Sequence, residues 1–302
     1  MAVVSITVFT PTYNRCNYLS RLYASLKLQA RFLHEWLIVD DGSNDGTAAL
    51  VNDFISEGAL SISYHYQANA GKHRAINKGV QLAKGALFFI VDSDDYLPGH
   101  ALMEISSRWS AVLQKPNPKE YAGICGLRID ENGAVVGGKV DYDVLDTTTV
   151  DYRYRRGYQG DKAEVYRTDI LRAYPFPDIE GEKFCTEALV WNRIAASYRL
   201  VFFNKGIYVG NYLADGLSAK SFRLRKTNPQ YASLYYAEFL NNEQIPCVHR
   251  LKSAVNFWRF AVYDQKHTFR HKRKMVKQQW TMVFLPLCYT LCLIDRLKSK
   301  SG

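Results

Sequence analysis

The chain has 302 residues, of which 47% are hydrophobic and 23% charged, with 39 Lys and Arg against 29 Asp and Glu. Such a chain is globular and long enough for one large α/β domain with an appendage or for two modest domains. The formal charge of +10 suits an anionic partner, whether nucleic acid, an anionic membrane surface or a phosphorylated substrate, and by itself does not choose among them.

The positive excess is uneven: the last third carries RLRK at 223–226 and RHKRKMVK at 270–277, whereas the first hundred residues are closer to balance. Six cysteines, at 16, 125, 185, 247, 288 and 292, form no CxxC pair and have no histidine at zinc spacing. They read as the reduced, scattered thiols of a cytosolic protein. The opening MAVVSITVFTPTY lacks a basic leader and soon reaches a polar turn, so it is expected to be the first strand, neither signal peptide nor anchor.

In chain order, β-branched runs alternate with segments of helical length as far as about residue 130. The runs are VVSITVFT (3–10), WLIVDD (36–41), LSISYHY (60–66), ALFFIVD (86–92) and AGICGLRI (122–129), with CNYLSRLYASLKLQA, DGTAALVNDFISEG, GKHRAINKGVQLAKG and PGHALMEISSRWSAVLQK between them. Continuous apolar runs alternating with helices predict a doubly wound α/β architecture with a mainly parallel sheet. Ligands of such sheets sit beyond the carboxyl ends of the strands, and the first four runs all end in polar clusters. From 131 to 215 the pattern loosens through DYRYRRGYQG to a helix, TEALVWNRIAASY, and then strands RLVFFN and GIYVGNY. From about 228 the chain reads as helical to its end.

Four stretches carry residue types suited to chemistry. In NAGKHRAINKG a helix opens at about Gly71, with Lys72, His73 and Arg74 in a first turn whose free N–H groups and dipole attract anions such as a diphosphate; the alternative is a glycine turn with solvated charges. In DDGSNDGT, with Ser43 or Asn44 as helix cap, a carboxylate can accept from a ribose hydroxyl or a pyrimidine N3–H; the alternative is a capped turn. In VDSDD, Asp92 and Asp94 around one spacer suit a hard divalent cation shared with substrate phosphates. The competing reading is an acidic turn capping the next helix, with Pro98 near its first position. Glu187, after the expected cap Thr186, either favours the helix dipole or serves as a general base.

The tail WTMVFLPLCYTLCLI (280–294) is too short for a bilayer crossing and contains Pro286. Its basic flanks suit an interfacial anchor on anionic lipid; the alternative is a helix packed on the protein's own core or on a partner.

Taken in order, TPTYNR, VDDGSNDGT, NAGKHRAINKG, FIVDSDD and TEALVWNR resemble a family 2 glycosyltransferase of the GT-A fold, over roughly residues 3–215. Within that family it resembles bacterial enzymes of O-antigen, capsule or exopolysaccharide synthesis. The resemblance implies a GT-A domain over 1–225, with a nucleotide-binding half to about 130 and an acceptor half beyond it, followed by a helical C-terminal region over 226–302. It implies that Pro11, Tyr13 and Arg15 flank the base and ribose, that Asp41 binds the uracil edge, and that Lys72 approaches the donor diphosphate. Asp92 and Asp94 match the DxD motif that contacts ribose or sugar and holds Mn²⁺ or Mg²⁺. Glu187 matches the base of inverting members, and Asp161 falls near the acceptor or donor sugar. Arg223 or Arg225, on an expected mobile loop, would assist electrostatically. The segment GNYLADGLSAKSFRLRK lacks the histidine metal ligand of some relatives, leaving few protein ligands.

The expected activity is inverting, metal-dependent transfer from a nucleotide sugar, UDP-linked by family likeness, to a lipid-diphosphate-linked glycan, by a cytoplasmic protein peripheral at the inner membrane face. No nucleic-acid partner is expected. A sugar-1-phosphate nucleotidyltransferase would be expected to carry a Gly- and Arg-rich loop after the first strand, which TPTYNR is not. A non-catalytic membrane-surface binding protein is the reading from another class.

Overall fold

The computed structural model describes residues 4–210 and 220–298. The chain forms two compact units: the first comprises Met1–Thr149, Tyr158–Phe176 and Arg193–Asn211, and the second Val150–Gly157, Pro177–Asn192 and Tyr212–Gly302.

The first unit alternates β1 (Ile6–Thr12), α1 (Cys16–Lys27), β2 (Glu35–Asp40), α2 (Thr47–Glu57), β3 (Ile62–Tyr66), α3 (Lys72–Leu82), β4 (Leu87–Ile90), α4 (Ala101–Leu113) and β5 (Tyr121–Ile129). It is completed by β6 (Val144–Thr147), β7 (Lys162–Arg167), α5 (Thr168–Ala173) and β8 (Arg199–Val209), while α6 (Ala188–Ala195) runs into it from the second unit. All five expected strand runs are strands. They belong to one eight-stranded sheet of order β3-β2-β1-β4-β7-β5-β8-β6. Pairing is parallel from β3 through β2 and β1 to β4 and again between β5 and β8; β7 runs antiparallel to both its neighbours, and β6 is antiparallel to β8. The strand order reverses on either side of β1, which creates the crevice where open α/β sheets bind ligands.

Two strands escape the sequence pattern and two expected strands merge. VLDT of β6 is short, and KAEVYR of β7 mixes charge with apolar residues, so neither has the continuous apolar run of a central strand. RLVFFN and GIYVGNY are one strand as far as Val209: Cys125 pairs with Phe202 but Leu127 with Gly206, so the polar pair Asn204–Lys205 sits in a bulge without ending the strand. Residues 211–219, including the end of GIYVGNY, lie outside the described residues.

Alternation along β1 sorts its neighbours. Ile6 and Val8 join the cluster that contains Leu19, Leu22 and Leu26 of α1, Val51 of α2, and Leu102, Ile105 and Trp109 of α4. Phe9 points to the opposite face, stacks on Phe88 of β4 with centroids 4.9 Å apart, and lies directly beneath Gly79 of α3. A Cβ at Gly79 would clash with the edge of the Phe9 ring, 2.2 Å from its nearest atom.

The second unit contains α7 (Ser221–Thr227), α8 (Pro229–Asn241), α9 (Cys247–Tyr263), α10 (Phe269–Met275) and α11 (Leu285–Lys298). Ala237, Leu240, Ala254, Phe257, Trp258 and Cys288 form its buried cluster. Arg223 and Arg225 belong to the helix α7; the expected mobile loop is not seen there because RLRK continues a helical turn from Ser221 and ends at Asn228, whose side chain donates to the Leu224 carbonyl at 2.8 Å.

Gly79→Ala is expected to destabilise the chain by ~1–3 kcal/mol through overpacking against the buried Phe9 ring, read as a lower denaturant midpoint.

Candidate active site

Three loops at the carboxyl ends of β1, β2 and β3 are bonded to one another. Asn14 adopts φ 51°, the left-handed region that asparagine tolerates better than most side chains. There its backbone N–H donates to Ser43 Oγ and its Oδ1 accepts from the Asn44 N–H, both at 2.9 Å. Asp45 accepts from Cys16 N at 2.9 Å and from Thr47 Oγ1 at 2.6 Å. The residue that serves the start of α2 is therefore Asp45, while the expected caps Ser43 and Asn44 join the β1 loop. Asp41 is buried, and its carboxylate accepts from Gln67 Nε2 at 2.7 Å and from the Ala70 and Gly71 N–H groups at 2.8 Å. Its first task is thus to shape the loop leading into α3. Pro11 is buried within β1, opposite Val39, while Tyr13 is half exposed.

Lys72, the first residue of α3, reaches the fourth strand end, where its Nζ lies 2.7 Å from Asp92 Oδ1. The acidic turn that begins there closes by an Asp95 N–H to Asp92 carbonyl bond of 3.1 Å. It is clamped from two sides. From α1, Arg21 donates to the Asp94 carbonyl at 2.7 Å and lies over the Tyr96 ring at 4.6 Å. From β8, the Tyr208 hydroxyl accepts the Asp92 N–H at 3.1 Å and donates to Asp95 Oδ2 at 2.6 Å. Arg128, at the end of β5, completes the set with Nη2 3.0 Å from the same Asp95 oxygen. Gly210 makes this meeting possible, since a side chain there would collide with both Asp95 and Arg128. Backbone bonds between Tyr96 and Val209, 3.0 and 2.8 Å long, tie the end of the turn to β8.

The electrostatics follow from that packing. Burial, then repulsion by Asp92, raises the Asp94 carboxyl above its ordinary range. Burial pushes Asp95 up to about 7, with the charge of Arg128 opposing the shift. Burial and the negative charges of Asp92 and Asp95 hold the Tyr208 hydroxyl protonated well above its usual range, so it remains a donor. Arg15 is near enough to act on Asp94. The β4–β7 register, Leu87 opposite Arg167 and Phe89 opposite Val165, brings the start of the reversed strand back beside the acidic turn. Asp161 therefore comes close enough to act on Arg128.

Pro11, Tyr13, Arg15, Asp41, Lys72, Asp92, Asp94 and Asp161 thus all belong to the first unit, at or next to one edge of its sheet. Pro98 lies ahead of α4, which starts at Ala101 after His100, so it does not occupy the first helical position. Arg21, Arg128 and Tyr208 were not legible as site residues: an arginine on a helix, one closing an apolar strand and a tyrosine in a second apolar strand carry no local signature.

Glu187 belongs to the second unit. Its carbonyl accepts the Val190 and Trp191 N–H groups at 3.0 and 3.1 Å, so it stands at the N-cap of α6, the place expected of Thr186. Nearby, the buried Glu182 accepts the Gln230 and Tyr231 N–H groups of α8, both at 2.8 Å, and Asn228 Oδ1 accepts the Lys183 N–H at 2.6 Å. This reciprocal capping fixes the segment that leads to Glu187.

Comparison with known proteins bears on the same residues. Residues 7–111 match the family described as Glycosyl transferase family 2. The glycosyltransferase GlyG of Streptococcus pneumoniae is 33% identical over 229 residues, which cover 72% of this chain and 74% of that one. The chain belongs to glycosyltransferase family 2. It spans about a third of the length of some other curated relatives, such as an uncharacterized glycosyltransferase of Mycoplasma genitalium, 39% identical over 94 residues, or 30% of this chain and 31% of that one. Among solved structures, Staphylococcus aureus TarS in complex with UDP-GlcNAc superposes with a TM-score of 0.60 at 19% identity, over 94% of this chain and 79% of that one. A mannosyltransferase from Pyrobaculum calidifontis in complex with GDP-Man and Mn²⁺ superposes with a TM-score of 0.57 at 16% identity, over 96% and 87%. These likenesses identify the GT-A fold of this family 2 chain.

Tyr208→Phe is expected to cost ~1–3 kcal/mol by leaving the Asp92 N–H and the Asp95 carboxyl without their shared partner, read as a lower melting temperature. The Asp95 carboxyl, raised from 3.8 to about 7, binds its proton more tightly in the folded state. Its contribution therefore falls as pH rises across that window and is flat above it. The stability difference between the wild type and Asp95→Asn, followed by denaturant titration at a series of pH values, is expected to trace that decline.

Proposed function

We propose that this chain transfers a sugar, with inversion, from a nucleotide-sugar donor to a hydroxyl of a glycan acceptor. The observation that carries the reading is the acidic turn, where Asp92 and Asp94 are held at the strand-order reversal with Lys72 against them. UDP-GlcNAc and GDP-Man, bound by the proteins of like fold, support a nucleotide-sugar donor, and a UDP-sugar is the favoured one.

Glu187 matches the family's base and would take the proton of the acceptor hydroxyl. The hydroxyl oxygen forms a bond to the anomeric carbon from the face opposite the diphosphate. The bond from that carbon to the phosphate oxygen breaks, and the nucleoside diphosphate leaves with the electron pair. Lys72 and Arg15 oppose the charge that accumulates on the leaving group. Asp41 would meet the base, Pro11 and Tyr13 would border base and ribose, and Asp161 would approach the sugars.

The residues fit a divalent cation. Asp94 and Asp92 offer hard oxygen donors, and the described residues contain no group of three candidate ligands, so water and substrate phosphates would complete the shell. Bound Mn²⁺ or Mg²⁺ would supply Lewis-acid stabilisation of the departing diphosphate. The acceptor in this reading is a lipid-diphosphate-linked saccharide of surface-polysaccharide synthesis, met by a peripheral protein at the cytoplasmic face of the membrane. In this reading residues 1–225, which draw on both compact units, would carry the transfer and 226–302 would be their helical extension.

Asp94→Ala is expected to reduce metal-dependent transfer to background in a radiolabelled-donor assay; undiminished turnover would refute the assignment. Glu187→Gln is expected to bind UDP as the wild type does in calorimetry while kcat falls by about 10²–10⁴-fold. Loss of UDP binding in that variant would point to a structural role.

A further inference from the structure

The C-terminal helix answers a question that its sequence leaves open, because it has two apolar faces with different fates. Cys288 and Cys292, one turn apart, are buried, and their thiols point at the Val255 and Arg259 carbonyls of α9 at 3.3 and 3.4 Å. Asp295 on the same side takes a two-pronged ion pair from Arg259, with contacts of 2.8 and 2.9 Å. The preceding 3-10 turn, Gln279–Phe284, is docked as well: Trp258 Nε1 donates to Thr281 Oγ1 at 3.1 Å. The helix is thus part of the second unit's core and no detachable anchor.

Its other face is apolar and open. Trp280, Val283, Leu287, Tyr289, Leu293 and Ile294 are between 42% and 70% exposed. In α11 the outward positions run 286, 287, 289, 290, 293 and 294, the spacing of a single helical stripe, and Thr290 is its one polar member. Helices in soluble proteins turn such a stripe inward. A contiguous exposed one marks an interaction surface. Close in sequence, α10 exposes Arg270, Arg273 and Lys274, followed by the exposed Lys277.

We propose that this stripe is the site where the protein lies on an anionic lipid surface, with Leu287 and Leu293 inserted among the acyl chains and the cations of α10 on the phosphate headgroups. The inference deepens the peripheral-membrane part of the proposed function and is independent of the transfer chemistry. Two features select lipid over a second copy of the chain. Self-association of a chain of charge +10, through a face that follows the basic α10 closely in sequence, would be opposed by like charge. Trp280 and Tyr289 are amphipathic rings suited to the headgroup boundary. The 14 residues of α11 extend roughly 21 Å, short of a ~30 Å hydrocarbon core, and no described helix is long and apolar enough to cross a membrane. The helix therefore lies in the plane of the interface.

Removing α11 would uncover the face of α9 that carries Val255 and Arg259, so point substitutions on the full chain are the sharper test. Co-sedimentation is measured with vesicles of phosphatidylcholine alone and of phosphatidylcholine with phosphatidylglycerol in equal parts. The wild type is expected to prefer the anionic vesicles, more strongly at low salt. Leu287→Ser with Leu293→Ser is expected to weaken that binding about tenfold or more. Arg273→Gln with Lys274→Gln is expected to weaken it about tenfold and flatten the salt dependence. Both variants are expected to melt as the wild type does, since the substituted side chains face outward. Undiminished vesicle binding by the leucine variant, or no preference of the wild type for anionic vesicles, would overturn the proposal. So would a concentration-dependent dimer that the leucine variant abolishes while lipid binding stays absent. UDP calorimetry on the same proteins keeps the two readings apart: lost donor binding by the wild type with intact vesicle binding counts against the transfer reading alone.

Discussion

Three carboxylates within four residues at a strand end repel one another, and the first unit is arranged to hold them there. The Tyr208 hydroxyl is the central piece, accepting a hydrogen bond from the Asp92 N–H and donating one to Asp95. Because β8 brings Tyr208 to the turn only by way of β5 and β7, the geometry of the acidic residues depends on the order of the whole sheet. Asp95 thereby separates from its neighbours in role. It is buried and faces Arg128, whereas Asp92 and Asp94 keep the carboxylates that a donor and its cation would use.

Cations are distributed with the same logic. Lys72 and Arg15 act on Asp92 and Asp94 from the starts of α3 and α1. Arg21 and Arg128 instead hold the turn's carbonyl and its innermost carboxylate, where a substrate phosphate would find the guanidinium already occupied. Positive charge of two kinds, one that would meet a substrate and one that holds the scaffold, surrounds a single turn.

Much of the edge was legible because each of the first four strands declares itself by an apolar run ending in polar residues. Asp92, Asp94, Lys72 and the Asp41 loop could be placed at that edge from the rule alone. Tyr208 and Arg128 could not, since what makes them site residues is the insertion of β7 between β4 and β5, and KAEVYR does not announce a central strand. RLVFFN and GIYVG read as two strands because the bulge at Asn204–Lys205 interrupts the apolar pattern without interrupting the hydrogen bonding. The tail offered a choice between packing and exposure; α11 does both, and only a three-dimensional count of its faces separates Cys288 from Leu287.

The reversed strand β7 also bears on how the chain is made. Neither β4 nor β5 has the other as its neighbour; both wait for residues 162–167. During vectorial synthesis the nascent sheet must therefore carry two unfinished edges, each able to recruit a strand from another chain, until β7 leaves the ribosome. Short, mixed-charge KAEVYR closes both at once. The boundary expected near residue 130 is thus a boundary of sequence motifs and not a point at which folding can pause safely.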